Sequence, residues 1–539
     1  MSAEEVAVPR ASAPSHAASG RFAALVALGI LASRIAGLVR ERALAHYFGN
    51  SDVADALKAA FRIPNLLQNL FGEGVLSASF IPVYARLLAE GDPAAARRVA
   101  GAVGAALALA MSLLVLVGMV ATPWLIDGLA PGFEGERRAL TIELVRVLFP
   151  GVALLVLSAW CLGILNSHRR FFLSYAAPVI WNAAILAALL VAGRRIGDAA
   201  ALAVWVAWGA VIGSAAQLAV QLPRALRLAG RMPLGLAPDS APVRTVFRNF
   251  APAFVGRGVL QVSAYVDQLL ASLLPLGAVA AIGYAQILYT LPVSLFGMSI
   301  SAAELPFLSS ETGARDVVAA ALRVRLAAAM RRVAFFVVPS AVSFVALGNV
   351  ITAAIYQTGR FGADDVRYVW GIVAGSSVGL LATTLARLYA ATYYALHDTR
   401  TPLRFACVRL ATGVAIALPF AFVLPARIGL DPRWGAAGLT VASGIAGWIE
   451  LFLLRRALER RIGRARLAHA MLARLWVAAL ASAALALAVE RAVGAAHPVV
   501  VAMAVLGTFG GAYVAGTSAL GVGEGRALLA RLLRPLRGR

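Results

Sequence analysis

Apolar residues fill this chain in long runs, separated by short polar segments in which arginine dominates. About 20 consecutive apolar residues are what an α-helix needs to cross the hydrocarbon core of a bilayer. Fourteen such spans can be drawn, at roughly 22–43, 55–86, 99–127, 139–166, 171–193, 198–224, 246–274, 277–308, 325–355, 368–396, 402–426, 434–456, 471–491 and 496–521. The pattern predicts an all-α polytopic membrane protein of about 14 transmembrane helices. Span 2 is long and holds Pro64 and the run Gly72-Glu73-Gly74, so a kinked helix is expected, with Pro64, Gly72 and Gly74 as its hinge.

The polar segments alternate between arginine-rich and arginine-poor. The rich set holds Arg86/Arg97/Arg98, Arg169/Arg170, Arg224 to Arg248, Arg315 to Arg332, Arg400/Arg404 and the block from Arg455 to Arg474. Both chain ends fall in it. By the positive-inside rule the rich side is cytoplasmic, which puts both termini inside and makes the span number even. An internal echo points to two halves. Leu70-Phe71-Gly72 leads to Ile81-Pro82 in span 2, and Leu295-Phe296-Gly297 leads to Leu305-Pro306 in span 8, six spans on. An even offset preserves orientation, as in a parallel repeat with substrate bound between the halves. The expected organisation is a disordered tail (1–20), an N-lobe of spans 1–6 (21–231), a C-lobe of spans 7–12 (242–456), spans 13–14 (470–521) and a basic cytoplasmic tail (522–539).

Composition narrows the function classes. The 539 residues are 61% hydrophobic and 14% charged, and a mean hydropathy of +0.81 excludes an ordinary soluble globule. A net charge of +23 would suggest nucleic acid in a soluble chain. Here the cations sit in short loops, with no basic stripe interleaved with aromatics and no nucleic-acid-binding motif, so no nucleic acid partner is expected. The Met1–Gly20 stretch lacks the layout of a cleavable signal peptide, so the first apolar run reads as a retained helix. Cys161 and Cys407 lie in apolar segments and form no disulfide framework. The histidines are far apart, and none pairs at ligand spacing, so neither a metal site nor a cofactor is expected. With no Walker loop and no nucleophile elbow, the chain reads as a transporter rather than an enzyme, driven by an ion gradient, the membrane potential or the substrate gradient.

The segment from Ser33 to Pro82 breaks the apolar pattern with Arg34, Arg40, Glu41, Asp55, Lys58, Arg62 and Glu73. An ionisable group at mid-bilayer depth costs roughly 2.5–3.5 kcal/mol on insertion scales unless it meets water or a partner. The cluster therefore implies a polar cavity, and its surplus of cations implies an anionic cargo. Cations within spans elsewhere are Arg146, Arg257, Arg387 and Arg409, of which Arg146 and Arg409 lie close enough to an interface to snorkel. Arg34 and Arg40 are six residues apart, about 120° from sharing a helix face. Asp55, Lys58 and Arg62 share one face of span 2. Either Asp55 neutralises Lys58 and Arg62, or the guanidinium groups grip phosphate in bidentate fashion.

Ser33-Arg34, Gly37, Arg40, Phe48-Gly49, Asp55-Ala56, Pro64-Asn65-Leu66-Leu67 and Glu73-Gly74 together resemble the MurJ (MviN) family, the lipid II flippases of bacterial cell-wall synthesis. Collinear matches follow at Gly163-Ile164-Leu165-Asn166-Ser167, at Ala177-Pro178 with Asn182, at Gln217-Leu218 with Gln221-Leu222-Pro223, and at Asp398-Thr399-Arg400-Thr401-Pro402. The resemblance implies a cavity between two lobes that opens alternately to each side of the inner membrane. The cargo it implies is undecaprenyl-pyrophosphoryl disaccharide-pentapeptide, with membrane lipids and cell-wall synthesis proteins as further partners. It also implies substrate-binding roles for Arg34, Arg40, Asp55 and Arg62. Two positions depart from the family pattern, Gln68 and Gln286 standing where arginine is usual, so hydrogen bonding is kept and charge is lost. Arg257 is an extra cation on span 7, read either as restoring lost charge or as a partner of Asp267 or Glu304. Some family members are thought to hold sodium with Asn and Asp in the second lobe. Spans 11 and 12 here offer Thr412 and neither of those residues, so cation coupling by that route is not expected. Two alternatives stay open, a flippase for another polyprenyl-pyrophosphate glycan and a non-transporting scaffold for cell-wall synthases.

Overall fold

The computed structural model describes residues 16–233, 235–298, 315–396, 398–465, 467–494 and 496–537. Every predicted apolar run is helical where it is described, and no strand occurs among the described residues. The helices are α1 (His16–Phe48), α2 (Asp52–Phe71), α3 (Glu73–Ala89), α4 (Pro93–Leu129), α5 (Gly135–Ser167), α6 (Phe171–Ala192), α7 (Ala199–Ala229), α8 (Ala241–Ser272) and α9 (Ala278–Pro292). A π-helical turn, Val293–Met298, continues α9. Then come α10 (Arg315–Ala346), α11 (Gly348–Tyr356), α12 (Ala363–Ser377), α13 (Leu380–Ala395), α14 (Arg400–Leu418), the short α15 (Leu424–Arg427), α16 (Gly435–Ile462), α17 (His469–Val493), α18 (Pro498–Ala519) and α19 (Gly523–Arg537).

Ten helices among the described residues are long and apolar enough to cross a membrane, or eleven if α12 and α13, bent by 45°, count as one span. This is a multi-pass membrane protein, and among the described residues ten or eleven of the fourteen expected spans pass by length and composition. The difference lies in α1, α2–α3 and α8, which carry Arg34, Arg40, Asp55, Lys58, Arg62 and Arg257 between them. The predicted break in span 2 is at Gly72, between α2 and α3. A Cβ there would overlap the carbonyl oxygen of Gln68, so the chain can turn this tightly only with glycine. Pro64 sits inside an uninterrupted α2, and Gly74 in the first turn of α3. The Leu305-Pro306 half of the internal echo lies outside the described residues, as does most of the predicted 1–20 tail.

The chain divides into two compact units. The first comprises 1–40, 61–122 and 143–260. Its core joins α3, α4, α5, α7 and α8 through Phe80, Tyr84, Val103, Met111, Val156, Trp160, Ala225 and Val246. Beside it α6 and α7 pack closely, Gly213 lying against Ala184 and the Trp181 backbone. Small residues of this kind let helices approach where lipid supplies no hydrophobic drive. The second unit comprises 41–60, 123–142 and 261–539. There α16 packs on α12, α13 and α14, and α10 on α13 and α17. Tyr284, Tyr356 and Phe361 form a buried aromatic cluster at its core.

Candidate functional site

In the first unit the in-span cations differ in how they are held. Arg34 is exposed on α1 and makes no hydrogen bond or ion pair among the described residues. Arg40 is half-buried and fixed to α6. Its guanidinium donates to Asn182 Oδ1 at 2.9 Å and lies 5.0 Å from the centre of the Trp181 ring. The Asn182 amide in turn donates to the Pro178 carbonyl at 2.9 Å, which fixes its oxygen toward the arginine. An arginine clamped in this way keeps its charge while losing little further entropy when it meets an anion. Arg62 and Gln68 are half-buried on α2. Arg257 lies on α8, with its side chain outside the described residues, as is that of Glu73; Glu304 is outside them altogether.

The second unit places the other charges of the cluster, and each is satisfied by protein. Asp55 is fully buried. Its carboxylate accepts from the backbone N–H groups of Gly277 (2.8 Å) and Ala280 (2.7 Å), and meets Arg137 at 3.3 Å. It therefore caps the N-terminus of α9 from a neighbouring helix, where an anion complements the exposed amides and the helix dipole. Gly277 itself has φ +83°, and a Cβ there would run into Asn50. Arg137 also donates to the Gly132 carbonyl at 2.6 Å. Lys58 pairs with Glu41 and lies 4.5 Å from the centre of the Tyr284 ring. The partner of Lys58 is thus Glu41, not the Asp55 that helical spacing offered. Arg42 donates to the carbonyls of Ala354 (2.6 Å) and Ile355 (2.8 Å), at the C-terminal end of α11. Gln286 is exposed on α9, and its amide donates to Thr290 Oγ1 at 3.1 Å.

Sequence reasoning missed Trp181, Arg137 and Arg42. The Asn182 match was the one signal that could have pointed to α6 as the holder of Arg40.

Arg409, α14, pairs with Glu450, α16, at 3.3 Å, beside a small cleft also lined by Asp267, Gly413 and Ser443. The Thr412 hydroxyl is turned back to the Val408 carbonyl at 2.8 Å. Of the other in-span cations, Arg146 reaches the Met119 carbonyl at 3.2 Å and Arg387 is exposed. No group of three His, Cys, Asp or Glu among the described residues is placed to hold a metal.

The profile of the lipid II flippase MurJ family matches residues 44–507. The chain is 32% identical over 441 residues to the lipid II flippase MurJ of Burkholderia cenocepacia, covering 80% of this chain and 82% of that protein. It is 31% identical to the probable lipid II flippase MurJ of Bdellovibrio bacteriovorus, covering 83% and 85%. A solved structure of a lipid II flippase MurJ in an inward closed conformation superposes with a TM-score of 0.76 at 22% identity, over 92% of this chain and 98% of that one. An inward-facing multidrug transporter of the MATE family, in the MOP superfamily, shares the fold at a TM-score of 0.63 and 14% identity, over 79% and 95%. With the profile spanning most of its length and curated relatives above 30% identity, the chain belongs to the MurJ lipid II flippase family.

Proposed function

We propose that this protein moves lipid II from the inner to the outer leaflet of the bacterial cytoplasmic membrane by alternating access, as a transporter without a catalytic step. The observation that carries the reading is Arg34, a guanidinium exposed on an apolar helix with no protein partner among the described residues. Such a charge is costly in lipid and useful to a cargo that brings a pyrophosphate. Arg40, fixed by Asn182 and Trp181, is the second phosphate ligand on this reading, and Arg62 the third. Asp55 acts in the frame rather than on the cargo, since its contacts are with Arg137 and the start of α9. Spans 1–6 and 7–12 act as two lobes, with Gly72 as the bend between α2 and α3. The arginine-rich segments and both termini face the cytoplasm.

Gln68 and Gln286 favour one second reading, a cargo with another glycan on the same polyprenyl pyrophosphate. A host depleted of its own flippase separates the two. Rescue of growth by this chain, and by no Arg34→Ala version present at equal level, supports lipid II. Failure of the well-expressed chain, with rescue of a glycan-flippase mutant instead, supports the second reading.

A further inference from the structure

The segment after the last apolar span has a pattern that the transport reading leaves unused. In α19 leucines occupy 528, 529, 532, 533 and 536, and arginines 526, 531, 534 and 537. By sequence alone, at about 100° per residue, a regular helix would set the leucines and the arginines on opposite faces. Its first turn is seated on α18, with Gly525 against buried Thr517, and Glu524 pairs with Arg331 of α10 at 3.0 Å. Leu528 and Leu529 are half-buried, whereas Arg526 and Arg531 are exposed.

Three guanidinium groups from three helices converge on the turn that enters α19. A Cβ on Gly521 would lie 3.5 Å from Arg526 Nη2 and 3.9 Å from Arg474 Nη1, and one on Gly523 would lie 4.0 Å from Arg331 Nη2. Among the described residues, Glu524 is the one carboxylate paired into this group. Among the described residues Arg474 makes no ion pair, and the Arg526 side chain reaches only the Ser518 carbonyl, at 3.3 Å. Arg474 lies in the second turn of α17, where this membrane-length helix begins, and α18 ends at the same level because the two pack as a hairpin. One turn further along the same face of α17, Val477 is 58% exposed. Charge is therefore stacked directly over exposed apolar surface.

We propose that this corner binds an anionic phospholipid. Its phosphate sits between Arg474 and Arg526, an acyl chain lies along Val477, and α19 rests on the membrane surface with its leucine face inward. Multidentate guanidinium contact suits a phosphodiester, and a basic amphipathic helix adds binding through its buried apolar area. The inference does not depend on the cargo.

The test uses the full-length protein in detergent, with dioleoyl phosphatidylglycerol, dioleoyl phosphatidylcholine or inorganic phosphate added and retained lipid counted by native mass spectrometry. The wild type should retain phosphatidylglycerol over phosphatidylcholine, and Arg474→Gln with Arg526→Gln should lower that retention on the order of tenfold. The double variant should keep its melting temperature in phosphatidylcholine, and Arg474→Lys with Arg526→Lys should restore most of the retention. Equal retention by wild type and the glutamine variant overturns the proposal. So does displacement of phosphatidylglycerol by an equal concentration of inorganic phosphate, which would mark a free-anion site.

Discussion

Arg34 and Asp55 are charges of the same segment with opposite situations, and substitution separates them. Arg34 bonds nothing among the described residues, so Arg34→Ala removes a group that costs roughly 2.5–3.5 kcal/mol in lipid and should leave the melting temperature unchanged or raised. Its loss should appear in transport alone. Asp55→Ala strips Arg137 of its carboxylate and the start of α9 of two acceptors, a change of about 3–5 kcal/mol. That variant should lose stability and membrane level before any effect on transport can be read, as thermal melting of the two purified variants will show. The sequence brought both residues to notice because ionisable groups stand out in an apolar run. It could not show what Asp55 does, because Arg137 is 82 residues away and Ala280 is 225 away. Spacing along one helix reports neighbours on that helix and no others, which is why it offers Asp55 to Lys58 as one alternative and is silent on Glu41, with which Lys58 pairs.

At the scale of elements, helix starts and breaks carry much of the specificity. Gly277→Ala would place a side chain at a left-handed φ and against Asn50, which costs about 1–2 kcal/mol from backbone strain alone and should lower the melting temperature accordingly. The start of α14 makes a pH-dependent case. Asp398 accepts from the Thr401 hydroxyl (2.7 Å), the Thr401 amide (2.9 Å) and Arg461 (2.7 Å), and these contacts, the Thr401 hydroxyl foremost, hold its carboxyl down to about 2. A lowered carboxyl stabilises fully above its unfolded value of 3.8, and the contribution is lost as the pH falls toward about 2. Asp398→Ala should thus cost on the order of 1 kcal/mol at pH 7, as for other helix caps, and the gap from wild type should narrow near pH 3. Unfolding curves at the two pH values check this. Period and run length made nearly every helix legible in the sequence. The break after α2 was legible from Gly72, but Pro64 proved compatible with a continuous helix. The 45° bend between α12 and α13 was not foreseen, because it arises where Gly379 closes on Gly444 of α16, a contact outside any local pattern.

At the scale of the whole molecule, family membership and the charge pattern lead to one account. An apolar multi-pass body carries Arg34 exposed on α1 and Arg40 held by Asn182 and Trp181, and the proposed function gives both to an anionic cargo. The alternation of arginine along the loops predicts that a reporter fused to either end is active only in the cytoplasm. The central claim is tested most directly by lipid II itself. In cells depleted of their own flippase and supplied with this chain, lipid II should become accessible to an externally added enzyme that cleaves its pyrophosphate. The account predicts exposure with the wild type and a loss on the order of tenfold or more with Arg34→Ala at equal membrane level, since one charge-assisted phosphate contact is removed. Equal exposure with Arg34→Ala, or none with a well-expressed wild type, would contradict it.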